Sequence, residues 1–383
     1  MRPVRCVTAR RPADSRFSLF LFLTMIAPAL GAIAMDVSPA KAQNGSTSGA
    51  FACLVPDSIG SQLARIARRV GGNAGVSAVH LESGARISLN GDRQFPMASV
   101  SKLPMALEFL RRVDQGQIDL DERLVVPTTD FRPGNSPLAS WSGGRAVRVK
   151  VDSLFWLMIG RSDNTATDVL LRMAGGPEAS NRAVRDLGVE GVRVDRSEAR
   201  TFADLVGISE SVPESELYRY SYFRKRDALP QAYRDAARER YGEDPRDTAT
   251  PDGMASLLAH IYFGAGLSEP SRARLLDVMT RTRTGPRRLK RLLPSGTPVA
   301  HKTGTMGGAI NDVGIVTLPN DRGHLVVAAF VNTLYGRTWQ RERTIAEMSK
   351  LLYDYFTEDA PASITGRMAA ACSTGVGRAG AER

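Results

Sequence analysis

The sequence predicts an α/β fold of the α+β type: an antiparallel five-stranded sheet flanked by N- and C-terminal helices, with an inserted all-helical domain. The first observation is the order of the patterns, which runs from a helix and two strands through many helices to three strands and a helix. The second observation is size. A chain of 383 residues, 43% of them hydrophobic and 24% charged, can bury a large core.

The sheet is expected to draw its strands from both ends of the chain. Apolar spacing near the start predicts a helix over 57–70, ended by two glycines, and strands over 76–81 and 85–89. Near the end, the pattern predicts strands over 299–305, 313–318 and 325–333, followed by a helix over 339–356. We therefore expect a single domain over 57–357.

The middle of the chain is predicted to form a helical subdomain over about 97–285. A helix begins at Ser99 and runs to about Gly116, and a loop rich in proline, glycine and serine covers 127–144. Asp152 is expected to cap a helix over 153–159. Further helical patterns cover 165–173, 177–187, 251–263 and 269–281.

The first 42 residues have the pattern of a secretory signal. Arginines precede an apolar run over 17–35, and the small-x-small sequence at 40–42 suits a signal peptidase. A membrane anchor is the alternative, but the run contains a proline and a glycine, and small polar residues follow it. A linker over 43–56 comes next, and the small, polar segment 358–383 is expected to be disordered.

Charge, histidine and cysteine content restrict the function. The net charge of +11 suggests nucleic-acid binding, but the basic residues after the signal are scattered, so we expect no nucleic acid or membrane partner. The four histidines lack metal-ligand spacing, so no metal site is expected. Two interpretations of Cys53 and Cys372 remain open: one disulfide in an oxidising compartment, or two unpaired thiols.

Ser99 and Lys102 form the first candidate catalytic pair. If a helix begins at Ser99, the two residues lie one turn apart on the same face, within reach of each other. A hydroxyl becomes a good nucleophile only when a base removes its proton. A lysine can be that base if burial or a second cation lowers its pKa. An ordinary amphipathic helix with a serine in its first turn is the alternative.

Two later motifs make the pair more specific. Ser162-Asp163-Asn164 lies at a turn between two predicted helices, and Lys302-Thr303-Gly304-Thr305 lies on the first late strand. Together they supply a second hydroxyl, an amide and a second cation, which suit acyl transfer on an anionic substrate. Glycine at 304 leaves room for a substrate to lie against the strand.

With these three motifs, the sequence resembles the class A serine β-lactamases, for which S-x-x-K, S-D-N and K-T-G are characteristic, and it looks most like their extended-spectrum branch. The resemblance implies that Ser99 is acylated by a β-lactam while Lys102 helps to take its proton. It implies that Ser162 relays a proton to the lactam nitrogen, and that the amides of Ser99 and Thr305 form an oxyanion hole.

The resemblance also assigns the substrate contacts. It implies that Lys302, Thr303 and Thr305 bind the substrate carboxylate, and that Lys302 lowers the pKa of Lys102. Asn164 would hold the acylamino side chain. A monomeric enzyme with no cofactor is expected.

A loop glutamate is needed to hydrolyse the acyl-enzyme, and Glu198 is the candidate. The stretch 194–198 resembles the opening of the loop that carries this base, and Arg196 and Asp247 match the ion pair that closes it. A solvated loop carboxylate is the alternative. Two departures stand out: Phe202 replaces a water-holding asparagine, and a loop insertion of roughly three dozen residues covers about 207–243, with a helix expected over 229–240.

These departures keep other functions open. The first is a D-alanyl-D-alanine peptidase or a related penicillin-binding enzyme, which uses a similar serine, lysine and K-T-G. The second is a β-lactam sensor that stays acylated, which Phe202 favours. An esterase would explain the Lys302 strand less well. The sequence favours an exported β-lactam hydrolase, periplasmic or extracellular, whose deacylation is slow or uses another water-holding group.

Overall fold

A computed structural model describes residues 57–334 and 336–359, and the structural statements below refer to these residues. The predicted signal, the linker, nearly all of the tail, and both Cys53 and Cys372 lie outside this part of the chain. None of the helices in the described ranges combines the length and apolar character that crossing a membrane requires.

The predicted five-stranded antiparallel sheet is confirmed. It contains five of the nine strands in the described ranges, which are β1 (Ala74–His80), β2 (Arg86–Leu89), β3 (Phe95–Pro96), β4 (Arg123–Val126), β5 (Val147–Lys150), β6 (Thr248–Ala249), β7 (Val299–Met306), β8 (Ala309–Thr317) and β9 (His324–Asn332). The other four form two short pairs, β3 with β6 and β4 with β5. The large sheet has the order β2-β1-β9-β8-β7, so its centre joins the two ends of the domain. Val76 of β1 pairs with Ala329 of β9, and Lys302 of β7 pairs with Val313 of β8.

Helices cover both faces of this sheet. They are α1 (Asp57–Arg68), α2 (Lys102–Asp114), α3 (Pro137–Trp141), α4 (Val151–Gly160), α5 (Asn164–Met173), α6 (Gly176–Asp186), α7 (Glu198–Val206), α8 (Arg219–Asp227), α9 (Gln231–Tyr241), α10 (Pro251–Tyr262), α11 (Glu269–Thr280) and α12 (Thr338–Asp354). The first and last of these pack on one face, where Leu63, Val327 and Ile345 share a core. The middle helices form a second core, in which Phe109 stacks on Phe155 at 5.5 Å.

Local sequence explains several helix starts. The Asp163 side chain accepts a hydrogen bond from the Ala166 amide at the start of α5. The Ser197 hydroxyl does the same for the Arg200 amide at the start of α7. Thr250 caps α10, where Pro251 occupies a first-turn position that needs no N–H donor. Side-chain caps therefore fix the residues at which α5, α7 and α10 begin.

The structure corrects the predicted helix at Ser99. Residues Ala98–Ser101 form a 3₁₀ turn, and α2 begins only at Lys102. An α-helix beginning at Ser99 would need an N–H donor at Pro104, which has none. When the helix begins at Lys102, Pro104 falls in the first turn, where the missing donor costs little.

Three other local predictions are also wrong. Asp152 does not cap its helix, because β5 runs directly into α4 and Lys150 takes the cap position. The region 127–144 is not all loop, because it contains a 3₁₀ turn at Thr128–Asp130 and α3. Strand β8 begins at Ala309 rather than at residue 313, so Asn311 and Asp312 lie inside it.

Candidate active site

Ser99 lies in a backbone turn that two other elements hold in place. The preceding residue, Ala98, has a φ of +47°, a left-handed conformation that costs an alanine about 1 kcal/mol. The side-chain amide of Asn311 on β8 donates to the carbonyls of Pro96 (2.8 Å) and Met97 (3.0 Å). Because Asn311 is fully buried, this contact ties the serine turn to the centre of the sheet.

Gly304 lets strand β7 approach the serine turn. A Cβ atom at this position would lie 2.4 Å from the Met97 carbonyl oxygen and 3.3 Å from the Ser99 amide nitrogen. The first of these distances is shorter than any van der Waals contact, so a larger residue would separate strand and turn. The sequence predicts that this glycine makes room for a substrate, whereas in the structure it allows the backbone of β7 to pack on the backbone of the serine turn.

The Lys102 ammonium group lies in a buried cage of oxygen atoms. Its Nζ donates to Asn164 Oδ1 at 2.7 Å, to the Ser162 carbonyl at 3.1 Å and to the Ser162 hydroxyl at 3.3 Å. Glu198 Oε1 lies 3.2 Å from the same nitrogen. The Lys102 side chain has no exposed surface, so these contacts replace water as its partners.

The Ser162 hydroxyl connects the two lysines. Lys302 Nζ on β7 donates to Ser162 Oγ at 2.9 Å and to the Thr303 carbonyl at 2.9 Å. Ser162 has a φ of +55°, which turns the chain between α4 and α5 and aims the hydroxyl at both cations. Burial, and then repulsion by Lys102, hold the pKa of Lys302 well below its usual range.

Asp163 and Asn164, the other two residues of the Ser162-Asp163-Asn164 motif, make different contacts. The buried Asp163 carboxylate accepts hydrogen bonds from the amides of Ala166 (2.9 Å) and Leu138 (2.6 Å), so it joins α5 to α3. Burial raises its pKa, although these hydrogen bonds act in the opposite direction. Asn164 donates to the Pro133 carbonyl at 2.9 Å while its oxygen accepts from Lys102.

Glu198 is a buried carboxylate at the start of α7. It is 5% exposed, and its backbone N–H donates to Asp168 Oδ1 at 2.7 Å. Asp168 also accepts from the Ala199 amide (3.1 Å) and from Arg132 (2.6 Å), so it fixes the start of the helix. Burial raises the pKa of Glu198, and the Lys102 charge opposes this shift. A base with a raised pKa is better matched to neutral pH than an exposed glutamate.

Arg288 is a site residue that the sequence analysis missed. Its guanidinium group donates to the Thr305 hydroxyl at 2.6 Å and to the carbonyls of Gly304 and Asn311, both at 2.9 Å. The Thr303 hydroxyl bonds instead to that of Thr284. A buried cation therefore lies behind Thr305. One of many arginines, Arg288 has no neighbouring motif that would reveal this position.

Arg196 and Asp247 lie together at the base of the loop that carries Glu198. The Arg196 guanidinium group bonds to Asp247 and also contacts Asp204 (2.9 Å) and Asp244 (3.0 Å). Asp247 accepts the Asp195 amide at 2.7 Å. One buried cation thus joins three carboxylates across the ends of the loop. Arg246 also contacts Asp204 and Asp244, so removing Arg196 would affect the buried Asp247 carboxylate most strongly.

Phe202 and the loop insertion pack against the outside of the loop that carries Glu198. The Phe202 ring lies against Gly134, where an added Cβ would meet the ring at 2.2 Å, and it packs edge-on against Tyr222 of α8. The expected inserted helix over 229–240 is α9, and α8 is a second one that was not predicted. Both pack on α7, the helix of the loop that carries Glu198, so we call α7 the loop helix and this loop the catalytic loop.

The Ser99 side chain is separate from the hydrogen-bonded network of the other motif residues. Within the described ranges, no hydrogen bond joins its hydroxyl to Lys102, Ser162 or Lys302, although the last three are connected to one another. Ser99 is partly exposed, whereas Lys102, Ser162 and Lys302 are buried. The buried network brings together two cations, a hydroxyl and a carboxylate, and Ser99 lies in the turn that leads directly into Lys102. These are the kinds of group that activate a serine and stabilise the charge that its attack creates.

The chain belongs to the β-lactamase enzyme family, whose sequence profile matches residues 58–356. Extended-spectrum β-lactamase PER-1 of Pseudomonas aeruginosa is 31% identical over 274 residues, covering 70% of this chain and 77% of PER-1. A Chitinophaga pinensis β-lactamase structure is 29% identical with a TM-score of 0.64, covering 78% of this chain and 99% of its own. An ancestral class A β-lactamase structure is 33% identical with a TM-score of 0.62, covering 77% and 99%. The resemblance to class A enzymes is confirmed.

Proposed function

We propose that this chain is a class A serine β-lactamase that opens the lactam ring by forming an acyl-enzyme on Ser99 and then hydrolyses it. The observation that carries the proposal is the Ser162 hydroxyl, which accepts hydrogen bonds from both Lys102 (3.3 Å) and Lys302 (2.9 Å). These two bonds occupy both lone pairs of its oxygen, so its own proton is free to be donated. A lactam nitrogen needs such a donor when its bond to carbon breaks.

Acylation follows from the groups around Ser99. The Ser99 oxygen attacks the lactam carbonyl carbon, and Lys102 helps to remove the hydroxyl proton, directly or through the Glu198 carboxylate at 3.2 Å. The amides of Ser99 and Thr305 stabilise the oxyanion. The C–N bond then breaks, and Ser162 protonates the nitrogen. Lys302, Thr303 and Thr305 bind the substrate carboxylate, with Arg288 supporting Thr305. Asn164 binds the acylamino group.

Deacylation depends on Glu198. Its carboxylate takes a proton from water, the water oxygen attacks the ester carbonyl, and Ser99 leaves with a returned proton. The Arg196–Asp247 pair keeps the loop closed around this base. We also propose that residues 1–42 direct export, that residues 57–357 form one catalytic domain, and that the enzyme acts as a monomer.

Phe202 favours a second candidate function. At the position where the resemblance leads us to expect an asparagine, its ring offers no hydrogen bond to water. A chain with intact acylation and little deacylation would serve as a β-lactam sensor. The two functions differ in one quantity, the lifetime of the adduct on Ser99.

Hydrolysis of a chromogenic cephalosporin, followed with intact-protein mass spectrometry, tests the proposal. Wild type should form an adduct and release it, Ser99→Ala should form none, and Glu198→Ala should form one and retain it. A wild-type adduct that persists after free drug is removed would support the sensor instead. Labelling of Ser99→Ala at the wild-type rate would refute the proposed nucleophile.

A further inference from the structure

The loop insertion contacts the catalytic loop through an apolar core. Ala203 and Val206 on the outer side of α7 pack with Leu217 and Tyr222 of the insertion. At its far end, the Gly242 carbonyl accepts a hydrogen bond from Asn332 at the end of β9, at 3.0 Å. The insertion is therefore fixed both to the loop helix and to the sheet.

Tyr241, the last residue of α9, enters the space beneath the catalytic loop. It is 5% exposed and packs with Ala98, Leu205 and Met306, which belong to the serine turn, α7 and β7. The Arg196 guanidinium carbon lies 5.5 Å from the centre of its ring. A cation over an aromatic face is attracted to it, most strongly where water is excluded.

Tyr241 and Glu198 also line the same small cavity. Its volume is about 10 Å³, and its other walls include Ser101, Thr201 and Asp247. That is room for about one water molecule among polar groups. The Tyr241 ring thus leaves only this small cavity next to the Glu198 carboxylate, so the catalytic loop has little room to move inward.

We propose that Tyr241 is a positioning residue for deacylation, acting through Arg196 to hold Glu198 beside Lys102. The inference rests on the proposed function. Arg196 is two residues before Glu198, so a change in its position moves the start of α7 directly. Acylation depends mainly on the serine turn, Ser162 and β7. Tyr241 also contacts the serine turn and β7, but Asn311 and the pairing of β7 with β8 support these elements independently, whereas Arg196 leads directly into Glu198. Tyr241 should therefore affect the second chemical step more than the first.

The test compares three variants of the full chain by stopped-flow acylation and by adduct lifetime in mass spectrometry. Tyr241→Leu removes the aromatic face and should slow deacylation about ten-fold or more, because small misplacements of a catalytic group have large effects. Its acylation rate should stay within about two-fold of wild type. Tyr241→Phe keeps the ring and should match wild type in both steps. Tyr233→Leu is the control, on the same helix but 48% exposed.

Tyr241→Met gives a second route if Tyr241→Leu does not fold. It fills more of the buried volume but has no aromatic face, and it leaves the ion pairs of Arg196 unchanged, so deacylation should again slow selectively. Unchanged deacylation in Tyr241→Leu, or equal losses in both steps with a lower melting temperature, would overturn the inference. A wild-type chain that hydrolyses no β-lactam would instead refute the proposed function itself.

Discussion

Replacing Glu198 by glutamine tests the proposed deacylation chemistry most directly. Glutamine has nearly the same shape, and its oxygen can still accept from Lys102 Nζ, which lies 3.2 Å from Glu198 Oε1. The change therefore removes the base and leaves the cage largely intact. Loss of a general base costs a factor of roughly 10²–10⁴. From a typical turnover of about 10 s⁻¹, the adduct half-life should lengthen to between about 7 s and about 12 min.

The assay is a pulse of penicillin followed by rapid quenching and mass spectrometry of the intact protein. Acylation should remain within about ten-fold of wild type when Lys102 takes the Ser99 proton directly, because Ser99, Lys102 and Ser162 are unchanged. A larger loss of acylation would assign that proton transfer to Glu198. Glu178→Gln on α6 is a suitable control, since that carboxylate is 63% exposed and its ion-pair partner is Arg185 of the same helix, outside every motif. An adduct on Glu198→Gln that clears as fast as wild type would refute the assignment of the base.

Four further predictions concern Phe202, Gly304, Glu198 and Lys302. Phe202→Asn restores a hydrogen-bonding group and should speed deacylation about ten-fold by stopped flow; slower release would mean that Phe202 itself supports the site. Gly304→Ala places a Cβ 2.4 Å from the Met97 oxygen and should slow labelling of Ser99 at least about 100-fold; wild-type labelling would contradict the close approach. Because burial raises the pKa of Glu198, deacylation should increase with pH through a limb above the range of an exposed glutamate. Because burial and Lys102 lower that of Lys302, kcat/KM for anionic substrates should fall with rising pH before an exposed lysine would titrate. A pH profile without these limbs would refute both assignments.

Most of the fold could be predicted from the sequence because each long element has a clear apolar pattern of its own. Strands β7 and β9 and helix α12 are continuous patterns, so their existence follows from spacing alone. The short pairs β3–β6 and β4–β5 were not predicted, because two to four residues carry too little pattern. The helix α8 was missed for another reason: its sequence is mainly polar and aromatic, and tertiary contacts with α7 stabilise it.

Only part of the candidate site could likewise be predicted from the sequence. The motifs identify Ser99, Lys102, Ser162 and Lys302, since each belongs to a specific short pattern. They say nothing about Arg288 or Asp168, single residues of common types whose positions are set by the fold. Nor could spacing show that Gly304 is required by the Met97 carbonyl, because that contact joins residues two hundred positions apart. Such roles become visible only through distances in three dimensions.

The Asn311 contact with the carbonyls of Pro96 and Met97 has a consequence for biosynthesis. Ribosomes make the serine turn early, yet the amide that shapes it emerges only with β8, near the end of the domain. A nascent chain halted before that strand would carry its nucleophile without the support that orients it. Reactivity towards antibiotics therefore requires the domain as far as β8, and a molecule truncated before that strand should be chemically silent.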